Sequence, residues 1–254
     1  MTDEEPVRWD EISRKLFIPI QEDGIISQFE GYELLEEFDW DVYREKYGDI
    51  HRLDRILEAN GDDVNRYKAS KQADVLMLFY LFSAEELQEI FEHMGYAFDP
   101  AWIPLNVDYY LKRSSHGSTL SYVVHSWVLA RSDREAGWEF FRKALRADIE
   151  DIQGGTTPEG IHLGALAGTV DLIQRGFTGL VMRDDVLWFD PVLPPELADL
   201  RFRLRYRGHW LSIDVQDEKL TVSCDRAWAP PVQIGFRGGV HTLRKGDALQ
   251  FPLA

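Results

Sequence analysis

The chain has 254 residues, of which 44% are hydrophobic and 13% aromatic, a composition typical of a globular protein with a sizeable core. Its 28 basic and 44 acidic residues give a formal net charge of −16, which argues against nucleic acid and anionic membranes as partners because basic patches bind both. A single cysteine, no secretory signal pattern and no run of about twenty apolar residues predict a soluble cytoplasmic protein.

Residues 1–180 are expected to be mostly helical. The first 70 residues have an irregular pattern in which one amphipathic helix is predicted over 50–59. Farther along, apolar spacing predicts helices over 73–82, 84–94, 120–130, 134–147 and 161–175. Ser83 and Glu86 have the spacing of a capping box at the start of the second of these. The pattern alone therefore predicts a helical domain without fixing how its helices are arranged.

The pattern changes after Gly179 to short, alternating runs separated by turn residues. These runs predict strands over 181–189, 200–206, 210–215, 220–224, 232–236 and 248–253, and thus a small antiparallel β domain. Four arginines at alternate positions, Arg201, Arg203, Arg205 and Arg207, are expected to share one face of a strand. That face is interpreted as a solvated surface or as an interface with an acidic neighbouring domain.

Two loops rich in Ser, Thr and Gly each precede an apolar, helix-like stretch. The first is Ser-Ser-His-Gly-Ser-Thr at 114–119, and the second is Gly-Gly-Thr-Thr-Pro-Glu-Gly at 154–160. Backbone N–H groups at a helix start have no internal partner and lie at the positive end of the helix dipole, so they suit an anion. Each loop taken alone favours ordinary capping, by Ser118 or Thr119 and by a Thr156–Glu159 capping box. Together the two loops favour a phosphate or sugar site.

The amino-acid sequence of these segments resembles that of glycoside hydrolase family 65, the maltose, trehalose and kojibiose phosphorylases. The resemblance is carried by Ser-His-Gly-Ser-Thr-Leu-Ser at 115–121, by Lys-Gln-Ala-Asp-Val-Leu at 71–76 and by the stretch from Thr157 to Arg175. A weaker match covers residues 9–31. The motifs occur in the order of the family, and the resemblance spans nearly the whole chain.

The resemblance implies a fold in two parts. Residues 1–180 would form the carboxy-terminal half of an (α/α)6 barrel, and residues 181–254 would form the small carboxy-terminal antiparallel β-sheet or sandwich domain. The Gly-Pro-Asp-Glu-Tyr-like stretch that carries the family's catalytic glutamate is absent from the 254 residues. We therefore expect the carboxy-terminal portion of a longer or split enzyme, and no catalytic residue is assigned.

The resemblance also implies which residues bind glucose and which bind phosphate. Lys71, Gln72 and His162 are expected to bind the glucose unit, with Lys71 and Gln72 opening a helix. Phosphate is expected to bind Lys71 and the loop residues Ser115, His116, Gly117, Ser118 and Thr119. No metal is implied, and the only cofactor-like molecule is inorganic phosphate as co-substrate. His125 is interpreted as a packed histidine with a hydrogen bond.

Three functions remain open at this point. The first is the phosphate- and glucose-binding side of an inverting α-glucoside phosphorylase, in which phosphate replaces the water that a hydrolase activates with a carboxylate. The second is a non-catalytic binding or assembly module, paired with a separately encoded amino-terminal half or forming a homodimer. The third is an inverting hydrolase, which needs a carboxylate base near the loops. Glu159 is the only carboxylate inside either loop.

Overall fold

The computed structural model describes residues 4–130, 132–152, 155, 157–227 and 230–253, and only the backbone of Glu159, Arg226 and Ala227. The helices in the described residues are α1 (Glu4–Ser13), α2 (Trp40–Tyr47), α3 (Leu53–Ala59), α4 (Leu76–Leu81), α5 (Ala84–His93), α6 (Trp102–Leu111), α7 (Thr119–Leu129), α8 (Arg134–Arg146) and α9 (Leu163–Asp171). Short 3₁₀ turns lie at Tyr32–Leu34, Val64–Arg66 and Thr157–Glu159, and a π turn at Leu172–Gly176 continues α9. No helix in these ranges has the length and apolarity needed to cross a membrane.

The predicted helices are present, with shifted ends. The Ser83–Glu86 capping box is confirmed, since each residue's side chain accepts a hydrogen bond from the other's backbone N–H. The helix predicted over 73–82 begins only at Leu76, because residues 71–75 form a bend and a turn. Lys71 and Gln72 therefore precede α4 rather than opening it. The second loop does not run directly into α9 either, because the turn Thr157–Glu159 lies between them.

Eight strands follow the helices and form two four-stranded sheets. The strands are β1 (Val181–Arg183), β2 (Val186–Phe189), β3 (Leu200–Tyr206), β4 (His209–Gln216), β5 (Lys219–Ala227), β6 (Val232–Phe236), β7 (Gly239–Leu243) and β8 (Ala248–Pro252). The sheet orders are β1-β2-β6-β7 and β3-β4-β5-β8. Side chains from both sheets, such as Leu187, Ile234, Leu211 and Val222, share one buried core. The sheets therefore pack face to face as a small sandwich.

Three details of the predicted β domain are corrected. The run 181–189 is two strands, because Asp184 and Asp185 both have positive φ and form a tight hairpin turn. Strand β7 was missed because Gly239 opens it, while the turn lies at Arg237 and Gly238. The pair β2–β6 is parallel, whereas a purely antiparallel domain was expected. The long connection through β3, β4 and β5 allows this orientation, which a short hairpin forbids.

The helical and β parts pack on one another. Ile173, Leu193 and Leu197 contact both the sandwich core and the cluster of buried residues on α7, α8 and α9. On β3, Arg201 pairs with Asp214 at 3.0 Å and Arg203 with Asp225 at 3.0 Å. Arg207 lies in the turn after β3 and pairs with Asp185. These acidic partners lie within the sandwich itself, which favours the solvated-surface interpretation of the arginines.

Candidate functional site

Two of the family-like segments meet through the backbone of Ser70. The Ser70 N–H donates to the Arg113 carbonyl at 2.9 Å, and the Ser115 N–H donates back to the Ser70 carbonyl at 2.8 Å. This bridge places Lys71 beside the loop of residues 114–119, which we call the serine–glycine loop. Gln28, from the weaker match, donates to Ser70 Oγ at 2.6 Å. The bridge thus brings together three segments, since Gln28 precedes Ser70 by about forty residues and Ser115 follows it by about forty-five.

Gly117 lies where these segments are closest. A Cβ added at this position would overlap the backbone carbonyl oxygen of His51 and lie 2.9 Å from Lys71 Cγ. Only glycine allows the loop to approach the His51 backbone this closely. The aliphatic part of Lys71 therefore packs against the serine–glycine loop, while the residue as a whole remains exposed.

His116 is mostly buried within the serine–glycine loop and has a φ of 53°, in the left-handed region. Its ring packs on Tyr122, His125 and Phe140, with centroid distances of 5.9, 4.6 and 5.0 Å. Burial lowers the pKa of His116 to about 3, and the positive charge of neighbouring groups adds to this effect. His116 is therefore neutral near pH 7 and does not supply positive charge to the loop.

A hydrogen-bond chain connects His116 to Ser121 and His125 on α7. His125 Nδ1 lies 2.8 Å from the Ser121 carbonyl oxygen, which only accepts, so Nδ1 carries the hydrogen. Ser121 Oγ lies 3.3 Å from the same nitrogen and 2.9 Å from His116 Nδ1. The Ser121 hydroxyl can therefore accept from His125 Nδ1 and either donate to His116 Nδ1 or accept from it. In either tautomer the neutral His116 ring keeps one N–H donor.

A cleft of about 510 Å³ lies between α4, α7 and α9. Gln72 and Asp74 line it on one side, and Gly164 and Gly168 line it on another. The first turns of α7 and α9 are neighbours, since a Cβ on Gly164 would lie 3.6 Å from Leu120 Cδ2. The helix that follows each of the two loops therefore begins near the same cleft.

His162 is the N-cap residue of α9. Among the described residues, its side chain makes no hydrogen bond to the serine–glycine loop. Its Nδ1 lies 2.5 Å from Asp148 Oδ1, and its backbone N–H donates to Asp148 Oδ2 at 2.9 Å. These contacts lower the pKa of the Asp148 carboxyl, the largest effect being the side-chain hydrogen bond from His162. Gly154 and Thr156, and the Glu159 side chain of the predicted capping box, lie outside the described residues.

The loop side chains themselves are largely enclosed. Ser115 and Thr119 are buried, and Ser118 is the N-cap residue of α7 without a side-chain capping bond. The sequence-based interpretation of His125 as a packed, hydrogen-bonded histidine agrees with its complete burial. The structure thus places Lys71 against Gly117, next to the hydrogen bond between Ser70 and Ser115, and places Gln72 in the cleft beside α9.

Several residues near this region were not singled out from the sequence. Asp74 and Asp171 place carboxylates in the cleft, where Tyr80 donates to Asp171 Oδ2 at 2.9 Å. Asp74 was visible as the fourth residue of Lys-Gln-Ala-Asp-Val-Leu, so the motif itself offered the signal. His51 is brought to the loop only by the fold, and no spacing in the sequence indicates it.

Comparison with known proteins now identifies the family. The model of the glycosyl hydrolase family 65 central catalytic domain matches residues 1–171, and the model of the family 65 C-terminal domain matches residues 180–243. The chain belongs to glycosyl hydrolase family 65. The resemblance carried by the three sequence motifs is thereby confirmed.

Similar proteins in the family include characterised phosphorylases. The chain is 52% identical over 250 residues to an uncharacterized glycosyl hydrolase of Mycobacterium tuberculosis, covering 98% of this chain and 19% of that protein. It is 36% identical to the trehalose 6-phosphate phosphorylase of Lactococcus lactis, covering 91% of this chain and 31% of the relative. The kojibiose phosphorylase of Halothermothrix orenii is 26% identical, with 98% and 30% covered.

The fold has a solved counterpart. A human-microbiome protein provisionally named a kojibiose phosphorylase superposes with a TM-score of 0.77 and 24% identity, covering 100% of this chain and 35% of that chain. This likeness supports the arrangement of a helical part followed by a β part. In every one of these comparisons the chain spans less than two fifths of the matched protein's length.

Proposed function

We propose that this chain forms the phosphate- and glucose-binding side of an inverting α-glucoside phosphorylase site. In this proposal residues 1–180 are the carboxy-terminal half of an (α/α)6 catalytic domain, and residues 181–254 are its β domain. The general acid comes from outside the 254 residues. An α-linked glucose disaccharide and inorganic phosphate are the substrates, and a separate amino-terminal half or a second copy of the chain completes the site.

The chemistry requires a cradle for phosphate rather than a second carboxylate. An acid protonates the departing glycosidic oxygen while phosphate attacks the anomeric carbon from the opposite face, in the place of an activated water. The residues that hold phosphate must offer N–H and O–H donors together with positive charge. The serine–glycine loop contains hydroxyl, amide and imidazole donors and no carboxylate. This composition suits phosphate, because the loop has no negative charge that would repel the anion.

The observation that carries the proposal is the contact between Lys71 and Gly117. It places an ammonium-bearing side chain against the donor-rich loop, where the Ser70 backbone bridge fixes both segments. Neutral His116 has one ring N–H and adds no charge. The phosphorylase names of the characterised relatives are consistent with this reading.

Phosphate titration of the purified chain tests the proposal. Lys71→Ala is expected to weaken phosphate binding by at least about fivefold, because it removes the charge-assisted hydrogen bond of an ammonium group. The matched control is Lys112→Ala, since Lys112 is the exposed C-cap residue of α6 and pairs with Asp108 at 2.7 Å. Equal phosphate affinity in wild type and Lys71→Ala, measured by calorimetry or NMR titration, would contradict the assignment of Lys71.

Activity assays of the chain alone address the missing acid. With trehalose, maltose or kojibiose and phosphate, we expect no release of glucose 1-phosphate, because no catalytic acid is assigned among the 254 residues. Clear turnover would show that an acid is present and has been overlooked. A non-catalytic binding module predicts the same inactivity of the chain alone, whereas an assembly module paired with a separately encoded amino-terminal half gains activity when that half is added.

A hydrolase is the second candidate, and Asp74 is the observation that favours it. This carboxylate lies in the cleft two residues after Gln72, whereas the only loop carboxylate is Glu159. In an inverting hydrolase Asp74 would activate water, and a completed enzyme would release glucose without phosphate. Asp74→Asn would then abolish turnover. In the phosphorylase proposal the same variant retains phosphate-dependent turnover.

A further inference from the structure

We propose that Asp49, His51 and Tyr122 are positioning residues that hold the serine–glycine loop in its phosphate-binding conformation. This inference rests on the proposed function, because it explains how that phosphate site is kept in shape. None of the three residues lies in the loop, and none is expected to contact phosphate. They act through the two loop residues that have the most demanding geometry, His116 and Gly117.

The three side chains form a continuous polar chain. Asp49 Oδ1 accepts a hydrogen bond from the His51 backbone N–H at 2.8 Å and lies 2.6 Å from His51 Nδ1. This is a close charge contact and not a well-directed hydrogen bond, since His51 Nδ1 has no hydrogen-bond partner among the described residues. His51 Nε2 lies 3.1 Å from the Tyr122 hydroxyl oxygen, a hydrogen-bond distance. The Asp49 carboxylate thus holds the His51 backbone, and the His51 ring contacts Tyr122.

This chain reaches the serine–glycine loop at two points. The His51 carbonyl oxygen occupies the space that a side chain on Gly117 would need. The Tyr122 ring, which is almost fully buried, stacks on the His116 ring with an interplanar angle of 23°. Asp49 and His51 are more than sixty residues before the loop in sequence. They therefore connect a distant segment to both His116 and Gly117.

The loop conformation needs such support. A non-glycine residue with positive φ, as at His116, has a strained backbone that persists only where surrounding contacts hold it. If those contacts weaken, a larger fraction of molecules has the loop in another conformation. Phosphate affinity falls in proportion to the fraction that remains competent. Loss of the polar chain should thus weaken phosphate binding even though every residue proposed to contact phosphate is still present.

The test uses three conservative variants, Tyr122→Phe, His51→Gln and Asp49→Asn. The matched controls are Tyr96→Phe and His93→Gln. The Tyr96 hydroxyl is hydrogen bonded to the backbone at Ile18 and Leu16, and His93 lies 3.4 Å from Asp10, so both controls remove similar contacts elsewhere. Phosphate affinity, thermal midpoint and amide hydrogen exchange are measured for each protein.

Amide exchange at residues 115–119, without phosphate, is the readout that separates positioning from general stability. We expect about fivefold faster exchange there in the three variants, with exchange in the sandwich unchanged, as the loss of one ordinary hydrogen bond implies. Phosphate affinity is expected to fall by a similar factor. The two controls are expected to match wild type in both measurements.

The outcomes distinguish this inference from the proposed function. If wild type binds phosphate through Lys71 but the three variants match it in affinity and loop exchange, only the positioning role is overturned. If the variants show faster exchange throughout the helical part, the residues are structural and the inference is also overturned. If wild type binds no phosphate at all, the proposed function is overturned, and the inference with it.

Discussion

Substitution of Gly117 by alanine tests the close packing at the centre of the site. The new Cβ would overlap the His51 carbonyl oxygen and lie 2.9 Å from Lys71 Cγ. Lys71 can move away because its side chain is flexible, but the His51 oxygen belongs to the backbone just before α3 and cannot move without shifting that segment. Overpacking of this kind costs about 1–3 kcal/mol, and the backbone neighbour favours the upper part of that range.

The assay is thermal and urea unfolding followed by circular dichroism. For a chain of this size the thermal midpoint is expected to fall by about 4–10 °C, at about 2–4 °C for each kcal/mol. Gly164→Ala is the matched control, because its Cβ would meet Leu120 at an ordinary 3.6 Å and helical glycine is less favourable than alanine by up to about 1 kcal/mol. That variant should be slightly more stable than wild type.

The same variants separate packing from ligand binding. Gly117→Ala is also expected to weaken phosphate binding, since the loop must shift away from Lys71, while Gly164→Ala retains it. If Gly117→Ala unfolds within about 0.5 kcal/mol of wild type, the change is no larger than that of an ordinary surface substitution. The reasoning that this glycine is required by a backbone contact would then be wrong.

Two further predictions concern stability. Burial lowers the pKa of His125 to about 4, so between pH 6.5 and 4 the unfolded chain binds a proton that the folded chain does not. Stability should therefore fall as the pH falls from 6.5, by about 2 kcal/mol at pH 5 for this ring. His125→Phe should reduce that dependence in urea unfolding, and an unchanged pH profile would contradict the assigned burial. Separately, Ser83→Ala removes a capping box and should cost about 1 kcal/mol in the same assay. Ser118→Ala, at an N-cap without a side-chain bond, should cost less than about 0.5 kcal/mol, and equal losses would contradict this difference.

The local features of the fold were readable from the sequence. The Ser83–Glu86 capping box and strand β3 appear where the residue pattern predicts them, because capping and alternation depend on near neighbours. The parallel pairing of β2 with β6 was not readable. This pairing joins strands more than forty residues apart, and the residue pattern of neither strand indicates which strand it pairs with. The same limit applies to the (α/α)6 arrangement, which the helical pattern alone does not specify and which stays a prediction.

The candidate site was readable only in part, for the same reason. The motifs at 71–76 and 115–121 indicated residue types suited to phosphate, but their meeting depends on backbone hydrogen bonds at Ser70 that no side-chain pattern encodes. His51 was missed entirely, since its contribution to the loop is a carbonyl oxygen and a ring nitrogen delivered from a distant segment. The sequence left the charge of the His116 donor open, and its burial in the fold makes it neutral.

This neutrality places the electrostatic demand of the proposed phosphate site on Lys71. Two basic side chains on the segments that flank the Ser70 bridge are already engaged, because Lys68 and Arg113 both pair with Glu37 at 3.3 and 3.0 Å. Among the residues that the structure describes, no ion pair involves Lys71, which remains exposed beside the loop. A cation without a carboxylate partner forms no internal ion pair that a phosphate must first break. Lys71 and the serine–glycine loop thus bring a cation and neutral donors together in a chain whose net charge is −16.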